Sequence, residues 1–68
     1  MKLKINGEIK DNIRAATLQE LLEELGVTTG RVAVEVNLQI IRKADYASFG
    51  INDNDVIEIV NFVGGGSD

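Results

Sequence analysis

Leu3 and Ile5 alternate with Lys2, Lys4 and Asn6, and that period of two predicts a half-buried strand at the start of the chain. Asn6-Gly7 follows at once. This dipeptide is the strongest short hairpin signal, because a type I′ turn needs positive φ at both central residues. Ile9 and Ile13 continue a second strand, weakened by Asp11-Asn12, so the chain opens with a β-hairpin. The period then changes. Leu18, Leu21, Leu22 and Leu25 fall at i, i+3, i+4 and i+7, one face of an α-helix. Thr17 precedes the run and Glu20 comes three residues later, the pattern of a capping box in which the hydroxyl and the carboxylate each take a free backbone N–H. Gly26 stands where a left-handed residue ends a helix. Glu20, Glu23 and Glu24 fall near the helix start or on its wet side and read as a solvated face.

Residues 32–36, Val-Ala-Val-Glu-Val, predict a third strand, and Asn37-Leu38 begins a turn. Ile40, Ile41 and Arg42 give a short fourth strand. Tyr46, Phe49 and Ile51 lie in a turn-rich connection over 44–51 and supply plugs for the core. Asn52-Asp53-Asn54-Asp55 is a turn; it lacks the later glycine and glutamate spacing of a calcium loop, so no metal site is expected. Residues 56–62 form the last strand. The order is β-β-α-β-β-β with one helix covering one face of a sheet, an α+β class. A helix joining the hairpin to the later strands lets the first and last strands lie side by side. The predicted fold is therefore a ubiquitin-like β-grasp, a mixed sheet of four to five strands with one α-helix packed on one face.

Alternation along the last strand sends Ile57 and Ile59 toward the helix and Val56, Val60 and Phe62 to the other face, with Glu58 among them. Apolar residues on an open sheet face near the chain end suit a docking partner, and Val56, Val60, Phe62 and Val63 are the candidates. In the competing reading Phe62 folds back over the sheet edge.

Composition narrows the chemistry. The 68 residues are 44% hydrophobic, enough for one core, here residues 1–63, followed by a glycine-rich tail over 64–68. There is no cysteine and no histidine, which removes disulfides, thiolate sites, the commonest general base and the commonest zinc ligand. Thr17, Ser48 and Tyr46 have no base at a meaningful spacing and read as cap, turn and core plug, so no catalytic residue is expected. The net charge is −4, with Arg42-Lys43 the one adjacent basic pair, and this opposes nucleic-acid binding, which rests on clustered phosphate contacts. No apolar run approaches the ~20 residues of a membrane span, and the N-terminus lacks a signal peptide's apolar region. A cytoplasmic location without a membrane partner is expected.

The end of the chain is unusual. Phe62-Val63 runs into Gly64-Gly65-Gly66 and then Ser67-Asp68. Such glycines can be a plain flexible linker. They can also be a thread, since glycine passes channels too narrow for side chains and adopts φ values closed to other residues. A terminal glycine presents an open carboxylate, which becomes a mixed anhydride when joined to AMP and is then open to attack by sulfur or an amine. A protein used in this way needs no catalytic residue of its own.

Asn6-Gly7-Glu8, Thr17-Leu18-Gln19-Glu20-Leu21-Leu22, Val32-Ala33-Val34-Glu35-Val36-Asn37 and Val56-Ile57-Glu58-Ile59-Val60 stand in the order seen in ThiS-type sulfur carriers. The Phe62-Val63-Gly64-Gly65-Gly66 ending resembles that family more than the related molybdopterin carriers. The resemblance covers residues 1–66. It implies a carrier in thiamin biosynthesis whose Gly66 carboxyl is adenylated by an E1-like enzyme of the ThiF type and converted to a thiocarboxylate. The thiocarboxylate would deliver sulfur to a thiazole synthase of the ThiG type, with Gly64 and Gly65 as the thread. The resemblance assigns ATP and Mg²⁺ to the activating partner and no cofactor to this chain. Ser67-Asp68 departs from the pattern, because Gly66 then carries an amide in place of a carboxylate and both residues would have to be removed first. A carrier for another sulfur pathway, a protein modifier joined to lysines, and a plain β-grasp interaction module remain open readings.

Overall fold

The computed structural model describes residues 1–62. Five strands form one sheet: β1 (Leu3–Ile5), β2 (Glu8–Lys10), β3 (Val32–Val36), β4 (Gln39–Ile41) and β5 (Val56–Asn61), with α1 (Leu18–Glu24) between the second and third. The sheet order is β2-β1-β5-β3-β4. β1 and β5 run parallel at its centre, and the other pairs are antiparallel. The mixed sheet with one helix is the predicted β-grasp.

Both short turns follow from backbone chemistry. Asn6 and Gly7 have φ of 50° and 84°, as a type I′ hairpin requires. Asn37 and Leu38 repeat the conformation at 51° and 72° between β3 and β4. The second strand is shorter than expected. Leu3 stands opposite Lys10, yet Met1 and Ile13 exchange both hydrogen bonds, N–H of Met1 to O of Ile13 at 3.1 Å and N–H of Ile13 to O of Met1 at 3.2 Å. Two steps along β1 are thus matched by three along the return. The extra residue at Asp11-Asn12 is a bulge that reverses the alternation. Ile9 is therefore 60% exposed on the open face while Ile13, four residues on, is 7% exposed in the core.

Helix α1 is short and fully capped. Glu20 N–H donates to Thr17 Oγ1 at 3.2 Å, Leu18 N–H to Phe49 O at 2.9 Å, and Gln19 N–H to Tyr46 O at 3.0 Å. The connection 46–49 therefore satisfies two of the helix's orphan donors. At the other end Gly26 N–H donates to Glu23 O and Val27 N–H to Leu22 O, a complete Schellman closure around Gly26 at φ 72°. The helix glutamates are exposed, as the solvated reading expects, and two of them also accept from backbone N–H groups. The Glu20 carboxylate accepts from Ala16 N–H at 2.8 Å, one residue earlier than the expected box, and Glu24 accepts from Arg14 and Ala15 N–H at 3.0–3.2 Å. Residues 14–16 have no ladder partner for these N–H groups, and the helix carboxylates take that place.

The core lies between α1 and one sheet face. Leu18, Leu21 and Leu22 pack with Leu3, Val34, Ile57, Tyr46 and Ile51, and Leu25, Phe49 and Ile59 close its rim. Tyr46 and Ile51 are thus the core plugs expected of the connection, with Phe49 half-buried.

Candidate functional site

β5 carries the alternation the sequence predicts. Ile57 is fully buried and Ile59 half-buried against the helix side, whereas Val56, Glu58, Val60 and Phe62 are exposed. Val60 and Phe62 are each 56% exposed, so Phe62 is not folded into a covered position. Its N–H donates to Arg31 O at 2.7 Å, which holds the backbone in line with β5 one residue past the assigned strand.

The register extends this face across the sheet. Val60 stands opposite Ala33, Glu58 opposite Glu35, and Glu35 opposite Ile40. On the other side Val56 lies beside Lys4, which faces Ile9. The open face therefore holds exposed Ile9, Ile40, Val56, Val60 and Phe62 around the directly opposed Glu35 and Glu58. Like charges placed opposite each other destabilise a sheet, so this pairing is a cost carried at the middle of an apolar surface. The ion pairs among the described residues, Lys10 with Glu8 and Arg42 with Asp45, lie elsewhere.

Ile9 and Ile40 are members of this face that sequence reasoning did not single out. For Ile40 a signal existed, since adjacent Ile40 and Ile41 in one strand must point to opposite sides. For Ile9 the bulge hid the signal.

Two asparagine side chains fix β5. Asn37 Oδ1 accepts from Val56 N–H at 2.9 Å, and its Nδ2 donates to Asp55 Oδ1 at 2.9 Å. Asn6 imitates a strand residue: Oδ1 accepts from Ile59 N–H at 2.7 Å and Nδ2 donates to Ile59 O at 3.2 Å. The acidic turn is used structurally as well. Asp55 is buried and accepts from Asn52 N–H at 2.7 Å, and Asp53 Oδ1 accepts from Lys2 N–H at 2.6 Å. Sequence reasoning named none of these clamps, because each bridges residues at least 18 apart or depends on a turn geometry.

The hydroxyl groups weighed as catalytic have structural surroundings. Thr17 caps α1, Ser48 donates to Asp45 O at 3.3 Å, and burial pushes the Tyr46 phenol up from its ordinary value. Among the described residues no three His, Cys, Asp or Glu side chains converge as a metal site would need, and no helix is long and apolar enough to cross a membrane. Val63, Gly64, Gly65 and Gly66 lie outside the described residues.

A mixed five-stranded sheet gripping one helix, with an apolar outer face on the strand that runs toward a glycine triplet, defines a ubiquitin-like β-grasp protein. The chain belongs to the ThiS family, whose model it matches over residues 3–66. It is 43% identical over 65 residues to the sulfur carrier protein ThiS of Bacillus subtilis, covering 94% of this chain and 98% of that one. It is 53% identical over all 68 residues to a thiazole synthase of Paramagnetospirillum magneticum, of which it spans 21%. The chain thus spans about a fifth of the length of that relative and of a second thiazole synthase, from Magnetococcus marinus. The crystal structure of the thiamine biosynthesis protein ThiS from Geobacter metallireducens superposes with a TM-score of 0.80 at 30% identity, covering 97% of this chain and 100% of that one. The family is that of sulfur carriers for thiamin biosynthesis.

Proposed function

We propose that this chain carries sulfur as a thiocarboxylate on Gly66 for formation of the thiazole of thiamin. The observation that carries this reading is the family match, which spans residues 3–66 and so reaches the last glycine. Hydrolysis of the Gly66–Ser67 peptide bond first frees the Gly66 carboxylate. In a ThiF-type enzyme holding ATP and Mg²⁺, that carboxylate attacks the α-phosphate and pyrophosphate leaves, giving an acyl adenylate. A hydrosulfide-level nucleophile then attacks the carbonyl carbon, AMP leaves, and the thiocarboxylate remains. Adenylation is needed because a free carboxylate is a poor electrophile and oxide a poor leaving group.

On this reading the chain supplies no catalytic group and binds no cofactor; ATP, Mg²⁺ and the sulfur chemistry belong to its partners. Gly64 and Gly65 thread the enzyme's channel, where a Cβ would meet the wall. Val56, Val60, Phe62 and Val63 form the docking surface, with Phe62 and Val63 directly ahead of the thread. The match to a thiazole synthase along all 68 residues supports a ThiG-type acceptor over a molybdopterin destination.

Intact mass spectrometry of the protein from its native cell tests the chemistry. The expected result is loss of Ser67 and Asp68. Incubation with ATP, the adenylating enzyme and a sulfur source then adds the mass difference between sulfur and oxygen. Protein that keeps both residues and never reacts removes the proposal.

A further inference from the structure

Near the end that leads to the glycines, part of the β5 backbone has no partner among the described residues. Asn37 N–H donates to Val56 O and Phe62 N–H to Arg31 O, so the even-numbered residues of β5 direct their N–H and C=O groups at β3. The odd-numbered residues point the opposite way, toward β1. On that side Lys4 N–H donates to Asp55 O, Asn6 N–H to Ile57 O, and the Asn6 side chain takes both groups of Ile59. There the cover ends, because the chain turns back at Gly7 into β2. The N–H and C=O of Asn61 are next in the series and have no partner among the described residues. They sit in line with β1, just past the hairpin tip.

The same residue borders a cleft. Gly26, Val27, Thr28, Gly30, Arg31 and Asn61 line an open-sided cavity of about 600 Å³ beside the helix end. Arg31 is its one charged lining residue and makes no ion pair among the described residues. In a chain of net charge −4, this is a local basic point.

We propose that the adenylating enzyme recognises this edge by strand addition. An extended segment of the enzyme pairs with Asn61, in the place that β1 vacates, and an acidic side chain of that segment enters the cleft beside Arg31. Free strand edges are normally blocked because they pair with other chains, and the Asn6 side chain blocks this one only as far as Ile59. An unpaired N–H and C=O at a strand edge fit extended backbone, and alternate side chains of an added strand find pockets. Pairing here would hold the chain extended where it enters the enzyme, so the main chain supplies part of the recognition. The inference rests on the carrier reading for the identity of the enzyme.

Amide hydrogen exchange on the full chain, free and saturated with purified ThiF-type enzyme, reads the pairing directly. The Asn61 amide exchanges freely alone and slows at least about tenfold in the complex, while Val60 and Phe62, already bonded to β3, change little. Asn61→Pro removes only the outward N–H and is tolerated at a strand edge. It keeps the fold by nuclear magnetic resonance and weakens binding about tenfold, whereas Asn61→Ala binds as the natural protein does. Arg31→Ala weakens binding several-fold and flattens its dependence on salt.

Enzyme that binds without protecting Asn61, or a salt dependence unchanged by Arg31→Ala, overturns this inference and leaves the carrier reading intact. Enzyme that does not bind at all overturns both. Protection of Asn61 in the free chain, with a dimer in sedimentation, overturns the inference by assigning the edge to a second copy.

Discussion

Leu38 has φ 72° and is 89% exposed, a large apolar residue in a left-handed conformation that costs non-glycine residues roughly 1–2 kcal/mol. Leu38→Gly is expected to stabilise the fold by about 0.5–1 kcal/mol, since relief of that strain outweighs the greater freedom of glycine in the unfolded chain. Urea unfolding measures it; a lower midpoint would show that Leu38 packs against something this conformation serves. Tyr46 gives a pH dependence. Its ring is buried, and burial raises the phenol above 10.0. Below that value both states keep the proton and the contribution to stability is complete. As pH climbs past it the unfolded chain releases its proton first, so stability falls on the way to the folded-state pKa. Measured against Tyr46→Phe, the natural protein should lose stability as pH rises past 10.0. A difference that stays constant as pH rises past that value refutes the assignment.

At the scale of elements, the helix shows what periodicity reports and what it omits. The leucine spacing and the flanking Thr17 and Gly26 mark α1 correctly because each acts within one turn of its own backbone. The Glu24 carboxylate acts outside its element, on Arg14 and Ala15 N–H. Glu24→Ala should therefore cost about 1–2 kcal/mol in urea unfolding, more than a solvated helix glutamate. Glu23→Ala serves as the control, since that carboxylate accepts only from the Gln19 side chain at 3.1 Å. Equal, near-zero losses would return Glu24 to the solvated face. The second strand teaches the same lesson. Ile9 and Ile13 have the spacing of one strand face, and the bulge that separates them is set by pairing with Met1, twelve residues away.

For the whole molecule, the sheet separates folding from docking. Ile57 and Val34 are fully buried on one face, while Val60 and Phe62 remain exposed on the other, so the two faces of β5 can be changed independently. Phe62→Ala should weaken binding to the adenylating enzyme about tenfold, roughly 1.4 kcal/mol. It should shift unfolding stability by no more than ~0.5 kcal/mol, as substitutions away from the core do. Titration and urea unfolding of the same preparation check both halves, and unchanged affinity removes Phe62 from the docking surface. The two faces also carry different electrostatics. Glu35 and Glu58 stand directly opposite each other on the open face, where like charges cost stability, and no carboxylate stands among the fully buried residues of the other face.

The sequence by itself determined the element order, the helix caps, the Asn6-Gly7 turn and the assignment of Val56, Val60 and Phe62 to one face. All of these depend on interactions between residues a few positions apart or on a period of 2 or 3.6. It also carried the family resemblance, because the glycine ending and the strand motifs are local strings. Only the tertiary structure decided that Ile9 and Ile40 join the open face, that Asn6 and Asn37 fasten β5, that helix glutamates hold residues 14–16, and that the pairing beside β5 stops short of Asn61. Those outcomes depend on register between strands distant in sequence. A shift of one residue exchanges every side chain between core and surface, and no local pattern states where that shift falls.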